Sequence, residues 1–285
     1  MLITGASRGI GQAIGEAVAA RGAAVALLAK TEVPDPRLPG TIHTAAAAIA
    51  AAAVAGGVVS SPAAARVLAV PCDIRSEAAV AAAVALGGID IGVNTASAIA
   101  LTPTDATPVK RFDLMHDVNT RGTFVTTAAA LPHLRASATA GRCPHVLTLA
   151  PPLDMEARWF APHVAYTIAK YGMSMCTLGW AEELRSDGIG ANSLWPRTAI
   201  ATAAVANVIG GDAMMARCRT PAIVADAAVA ILTADPAVVT GNFFIDDDVL
   251  AAAGVSDLAR YKVDASLPDA DLLPDYFIPA TTPSH

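Results

Sequence analysis

Charge is scarce in this chain of 285 residues: Asp, Glu, Lys and Arg together make up 15%, with a net charge of −6 and no run of Lys and Arg. A nucleic-acid binder gains affinity by displacing counterions with grouped cations, so that function is excluded. The pair Lys110-Arg111 reads as a solvated helix face. Cysteine is equally sparse. Cys72, Cys143, Cys176 and Cys218 are scattered without a CxxC pair, so neither a metal site nor a disulfide framework is expected, and a reducing cytoplasmic setting fits. Long apolar runs are missing too. The longest, 45–59, is mainly alanine and falls short of the roughly 20 residues that cross a bilayer, so no membrane span is expected. The opening "MLITGASRGIG" has no basic region or cleavage-like site and gives no sign of a secretory leader.

What the chain does have is apolar mass. Hydrophobic residues reach 54%, enough for a large core and contrary to disorder. Short apolar runs alternate with helix-like segments, the pattern of βαβ units and a parallel sheet. Strands are expected at 2–4, 24–29, 66–70, 90–94, 145–150, 190–195 and 242–245, and helices at 10–21, 42–55, 76–86, 109–131, 162–186 and 221–233. The expectation is one α/β domain over residues 1–260, a doubly wound Rossmann-like parallel sheet of about seven strands with helices on both faces. Its ligand site lies at the carboxyl ends of the strands. "TEVPDPRLPG" (31–40) reads as a loop, and the Pro/Asp-rich tail 261–285 as either loose or laid along a surface.

"TGASRGIG" (4–11) falls where the first strand ends and the first helix begins. Glycines at 5, 9 and 11 let the backbone turn tightly and approach a pyrophosphate at the helix N-terminus, where free N–H groups and the dipole favour negative charge. A glycine-rich turn without a ligand is the alternative; the strand–turn–helix context favours a nucleotide. "YTIAK" (166–170) places Tyr166 and Lys170 four apart, on one face of a helix. An ammonium beside a phenol favours the phenolate and lowers its pKa toward neutrality, although such a pair alone is more often a surface feature.

Gly-x-x-x-Gly-x-Gly at the N-terminus with Tyr-x-x-x-Lys downstream resembles the short-chain dehydrogenase/reductase family. "AYTIAKYGMSM", "LWPRTAI" and "VNTRGT" are similar to its hydroxysteroid dehydrogenase-like subfamily. The resemblance covers roughly residues 1–260. It implies a nicotinamide cofactor held by Gly5, Ser7, Arg8, Gly9, Ile10 and Gly11, by Asp73 at the adenine, by Asn94 in the turn "VNTAS", and by Pro196 and Thr198 at the carboxamide. Asp73 reads equally well as an N-cap-type residue leading into the helix near Ser76. Thr95 and Ser97 replace the family's usual Asn and Gly, and Arg197 replaces a glycine. NAD-preferring Rossmann proteins carry an acid after the second strand. Here Lys30-Thr31 stand there and Glu32 comes two positions late, so Lys30 and Arg8 are expected to favour the 2′-phosphate of NADP over NAD.

The resemblance further implies Tyr166 as acid/base, Lys170 on the nicotinamide ribose, and Asn119 in a proton relay. It also implies a serine that this chain lacks. Ala150 and Pro151 occupy the place of a Ser-Ser pair, and losing one such donor costs roughly 10²–10³ in turnover. Trp159 and Trp195, with Phe160, Met214 and Met215, are expected to wall an apolar cleft suited to a hydrophobic ketone or alcohol; Glu156 and Arg158 read as a surface pair. The family implies a homo-oligomer, dimer or tetramer, built on helices near 109–131 and 162–186. Two functions follow: an NADP-dependent oxidoreductase, or a cofactor-binding sensor or scaffold with little turnover.

Overall fold

A computed structural model describes residues 1–278 apart from Arg37 and Ala204. Seven strands form one parallel sheet: β1 (Leu2–Thr4), β2 (Val25–Ala29), β3 (Val67–Pro71), β4 (Ile91–Asn94), β5 (His145–Thr148), β6 (Gly190–Trp195) and β7 (Phe243–Ile245), in the order β3-β2-β1-β4-β5-β6-β7. The order reverses between β1 and β4, where Ile3 is registered against both Leu27 and Val93. In an open α/β sheet a crevice forms at that switch, outside the carboxyl ends of the strands.

The helices are α1 (Gly9–Ala19), α2 (Ile42–Ala55), α3 (Glu77–Val84), α4 (Val109–Met115), α5 (Gly122–Thr139), α6 (Val164–Glu183), α7 (Gly211–Met215), α8 (Ala222–Leu232) and α9 (Asp246–Ala252). Strand side chains alternate between faces, and the core divides accordingly. Ile3, Leu27, Leu147 and Leu194 pack with Ile14, Ile49 and Ile223 on one side; Leu2, Leu28, Val146 and Ala191 pack with Val80, Leu134 and Trp180 on the other. The alanine tract becomes α2 because alanine loses little on helix formation and because Thr41 and Thr44 cap each other's backbone in a reciprocal box.

One feature differs from expectation, and of the two readings of the tail the second, laid along a surface, is met. The single helix expected over 109–131 is broken by a π-helical segment, His116–Arg121, between α4 and α5. The tail runs back across the sheet edge: Lys262 pairs with Asp269 at 2.6 Å, Ala199 N donates to Leu273 O at 2.8 Å, and Thr198 bridges Pro274.

Candidate active site

The glycine loop is built by close approach. Gly5 has φ +66°, and a Cβ there would lie 2.6 Å from the backbone N of Ala96; a Cβ at Gly11 would lie 2.5 Å from Thr95 Oγ1. Thr95, at the position where the family usually has Asn, donates its hydroxyl to Thr4 O, while Thr95 N donates to Thr4 Oγ1 at 3.2 Å. These bonds lock the ends of β1 and β4 together. The loop opens on a groove of about 630 Å³ lined by Arg8, Gly9, Gln12, Thr202, Met215 and Pro221. Ser7 lies buried inside the loop, and Ile10 is half-buried against the core.

Arg8 Nε and Thr198 Oγ1 are among the buried polar atoms that lack a partner in the described residues. Arg8 donates from Nη2 to Gly40 O at 2.9 Å, leaving Nε unpaired, and Thr198 Oγ1 is likewise orphaned. Buried donors normally find partners, so a cradle that excludes side chains, with an unpaired guanidinium N–H and a free hydroxyl, fits the phosphates and amide of a dinucleotide. Lys30 is exposed at the end of β2, where its charge helps hold Asp73 below the usual carboxylate range. The main cause of that lowering is Arg75, which donates to Asp73 from Nη2 at 2.6 Å. The N-cap of α3 is Ser76 rather than Asp73: its Oγ accepts from Ala79 N. Asn94 donates its amide to Thr127 Oγ1 at 3.0 Å, tying β4 to α5.

Tyr166 and Lys170 sit in the first two turns of α6, 5% and 3% exposed. Lys170 Nζ donates to Leu149 O at 2.6 Å, just past the end of β5, and lies 4.8 Å from the Trp195 ring centroid. Burial draws the Lys170 ammonium down to about 7. The expected lowering of the Tyr166 pKa is not found. Burial pushes the phenol up, and the nearby charge of Asp275 adds to the rise. The cause is geometric: the amine is held on Leu149 and Trp195, and desolvation outweighs any help it gives.

Asn119 lies within the π-helical segment, fully buried; its Oδ1 accepts from Ala98 N at 2.7 Å and its Nδ2 donates to Ala98 O at 3.0 Å. It therefore pins the loop after β4. At the place of the missing serine, Ser174 Oγ donates to Pro151 O at 2.7 Å, so its proton is committed to the double proline. Pro196 is buried after β6, and Arg197 turns toward the start of α9, where Nε contacts Asp247 at 2.6 Å and Nη2 contacts Asp248 at 2.7 Å.

The substrate side is an aromatic assembly. Trp159 and Trp195 both face Phe277, at 6.1 and 5.9 Å, and Phe160 meets Tyr171 edge-on. Met215 stands apart from them, in the groove by the glycine loop. Glu156 and Arg158 form an exposed pair at 2.9 Å. Sequence reasoning missed His163, whose ring meets Tyr166 edge-on at 5.7 Å. Thr167 donates its proton to Trp159 O, so the 3.0 Å contact between His163 Nδ1 and Thr167 Oγ1 has the histidine as donor. The spacing His163-x-x-Tyr166, with the histidine at the N-cap of α6, was the available signal. It also missed Phe277, which no local pattern announces. Among the described residues no cluster suited to a metal ion occurs, and no helix is long and apolar enough to cross a membrane.

The family model for short chain dehydrogenases matches residues 1–210. Hydroxysteroid dehydrogenase-like protein 2 of Xenopus tropicalis is 49% identical over 98% of this chain, which spans 63% of that relative's length. A putative dehydrogenase from Xanthomonas campestris is 51% identical with a TM-score of 0.88, covering 98% of this chain and 97% of its own. A short chain dehydrogenase from Mycobacterium thermoresistibile is 47% identical with a TM-score of 0.86, covering 99% and 96%. With these relatives and this fold, the chain belongs to the short-chain dehydrogenase/reductase family, in the group of the hydroxysteroid dehydrogenase-like proteins.

Proposed function

We propose that the chain moves hydride between NADP(H) and an apolar ketone or alcohol, with Tyr166 as the acid/base. The observation that carries this reading is the burial of Tyr166 and Lys170 one helical turn apart at the same carboxyl edge of the sheet as the glycine cradle. The nicotinamide, when bound, gives or takes the hydride. Tyr166 supplies the proton to the carbonyl oxygen in reduction and withdraws it in oxidation. Lys170, drawn down to about 7, is poised between its charged and neutral forms at working pH. An anionic ligand in the cradle favours the ammonium, and the ammonium in turn favours loss of the Tyr166 proton. Asn119 keeps the loop after β4 in place, and Trp159 and Trp195 supply the apolar wall.

NADP is favoured by the absence of an acid at Lys30-Thr31 and by the unpaired Nε of Arg8. Glu32, the nearest carboxylate in sequence, lies 3.8 Å from His43 Nε2. Lys30→Asp is expected to lower the NADP/NAD preference by about tenfold, the effect of losing roughly 1.4 kcal/mol of charge pairing; an unchanged ratio in cofactor titrations counts against the assignment.

The function is tested by NADPH titration with a panel of carbonyls and alcohols, using wild type and Tyr166→Phe. The variant is expected to bind cofactor normally and to lose about 10²–10⁴ in kcat. A second reading, a cofactor-binding sensor, is favoured by Ala150 and Pro151, which offer no side-chain donor. Cofactor binding without any Tyr166-dependent turnover establishes that reading instead.

A further inference from the structure

Phe277 reaches the site on a segment outside the sheet. Its ring centroid lies 5.4 Å from that of Tyr171, 5.9 Å from Trp195, 6.1 Å from Trp159, 6.2 Å from His163 and 6.3 Å from Tyr166, the last in a stacked arrangement. The residue is 1% exposed and has φ 69°, the sole positive φ of a non-glycine among the described residues. A bulky side chain in that left-handed region is strained and persists only where its surroundings over-determine it. The chain is anchored just before the ring: Asp275 N donates to Arg197 O at 3.0 Å, and Trp195 Nε1 donates to Tyr276 O at 2.8 Å. Tyr166, beneath, is almost sealed from solvent.

We propose that this aromatic enclosure is the subsite for a ring-sized apolar substituent of the carbonyl substrate, and that Phe277 fills it until the substrate displaces residues 275–278. The proposal rests on Tyr166 being the acid/base. The enclosure selects for an uncharged group. Its faces are aromatic, and burial lowers the pKa of His163, which favours the neutral ring. The charged groups nearby are already engaged: Lys170 donates to Leu149 O, and Asp275 Oδ1 accepts from the backbone N–H of Tyr276. Aryl and cycloalkyl ketones match a space that a phenyl ring occupies. Phe277 is thereby a specificity-determining residue: a competitor carried by the chain itself, which reduces substrate affinity to the fraction of time it is displaced.

Acetophenone is the probe. In wild type, hydrogen exchange at the amides of Asp275 and Tyr276 is expected to accelerate as acetophenone is added; unchanged or slower exchange overturns the proposal, and this measurement needs no variant to fold. Phe277→Gly removes the ring and relieves the left-handed backbone, and is expected to bind acetophenone about tenfold more tightly or better, as follows when the open form is a tenth of the population or less. Equal or weaker binding overturns the proposal. The same comparison in a Tyr166→Phe background separates the two readings. A gain in affinity that persists there supports the subsite even where no turnover depends on Tyr166. Absence of the gain, with Tyr166-dependent turnover intact in the parent, removes the subsite alone.

Discussion

Asp275 and Lys170 feel each other's charge across the site, and burial moves both toward the middle of the pH scale: the carboxyl is pushed up to about 7 and the ammonium is drawn down to about 7. Their linkage to stability runs in opposite directions. A carboxyl raised from an ordinary 3.8 holds its proton in the folded state when the unfolded chain has lost it, so its stabilisation is complete below 3.8 and is lost as pH climbs to about 7. Asp246, raised to about 6 by burial, adds to the same slope. An amine lowered from 10.5 stabilises the fold above that pH and ceases to do so as pH falls to about 7. The cofactor-free protein is therefore expected to show a dip in stability near neutrality from this pair. Chemical denaturation between pH 4 and pH 10, chosen as roughly the span of the two windows, checks it. Asp275→Asn should flatten the acid limb and Lys170→Met the alkaline limb; a wild-type profile that rises steadily through 7 contradicts the assignment.

The break between α4 and α5 shows how one side chain shapes an element. A regular helix closes i to i−4, and a π turn adds a residue, so it persists only where a tertiary contact rewards it. Here the contact is the double hydrogen bond between the Asn119 amide and Ala98. Asn119→Ala leaves the N–H and C=O of half-buried Ala98 without that partner, and is expected to cost about 1 kcal/mol of stability together with a loss of activity, read by thermal melting beside steady-state kinetics. An unchanged melting temperature contradicts it. The break was not legible in the sequence, because helix propensity is blind to a contact made 21 residues away. Strand positions were legible, since buried parallel strands read as short apolar runs between turn residues. α9 was missed although its signal was present: Asp246, Asp247 and Asp248 fill its first turn, where acids suit the helix dipole.

At the scale of the molecule, the glycine loop and the Tyr166–Lys170 pair were readable because each lies in a continuous stretch of chain. The aromatic enclosure was not, because it gathers residues from α6, from the loop after β5, from the end of β6, and from a tail that returns from beyond residue 260. The outer surface carries a further pattern. Ile168, Met175 and Leu178 on α6 are exposed, as are Phe124 on α5 and Phe112 on α4, and the three α6 positions recur at helical spacing along one stripe. Apolar side chains gathered in this way suit contact with a second copy. Ile168→Glu with Met175→Glu is expected to convert an oligomer into monomers in light scattering, with the fold retained by circular dichroism; a wild type that is already monomeric contradicts the pairing.

The tryptophans fall on two of these features. Trp159 and Trp195 stand against Phe277, whereas Trp180 stacks with Phe124 at 6.4 Å between centroids, beside the exposed stripe. Intrinsic emission thus reports from two separate places, one beside Tyr166 and Phe277 and the other beside the exposed apolar stripe. Single Trp→Phe replacements would resolve the two signals without an added dye.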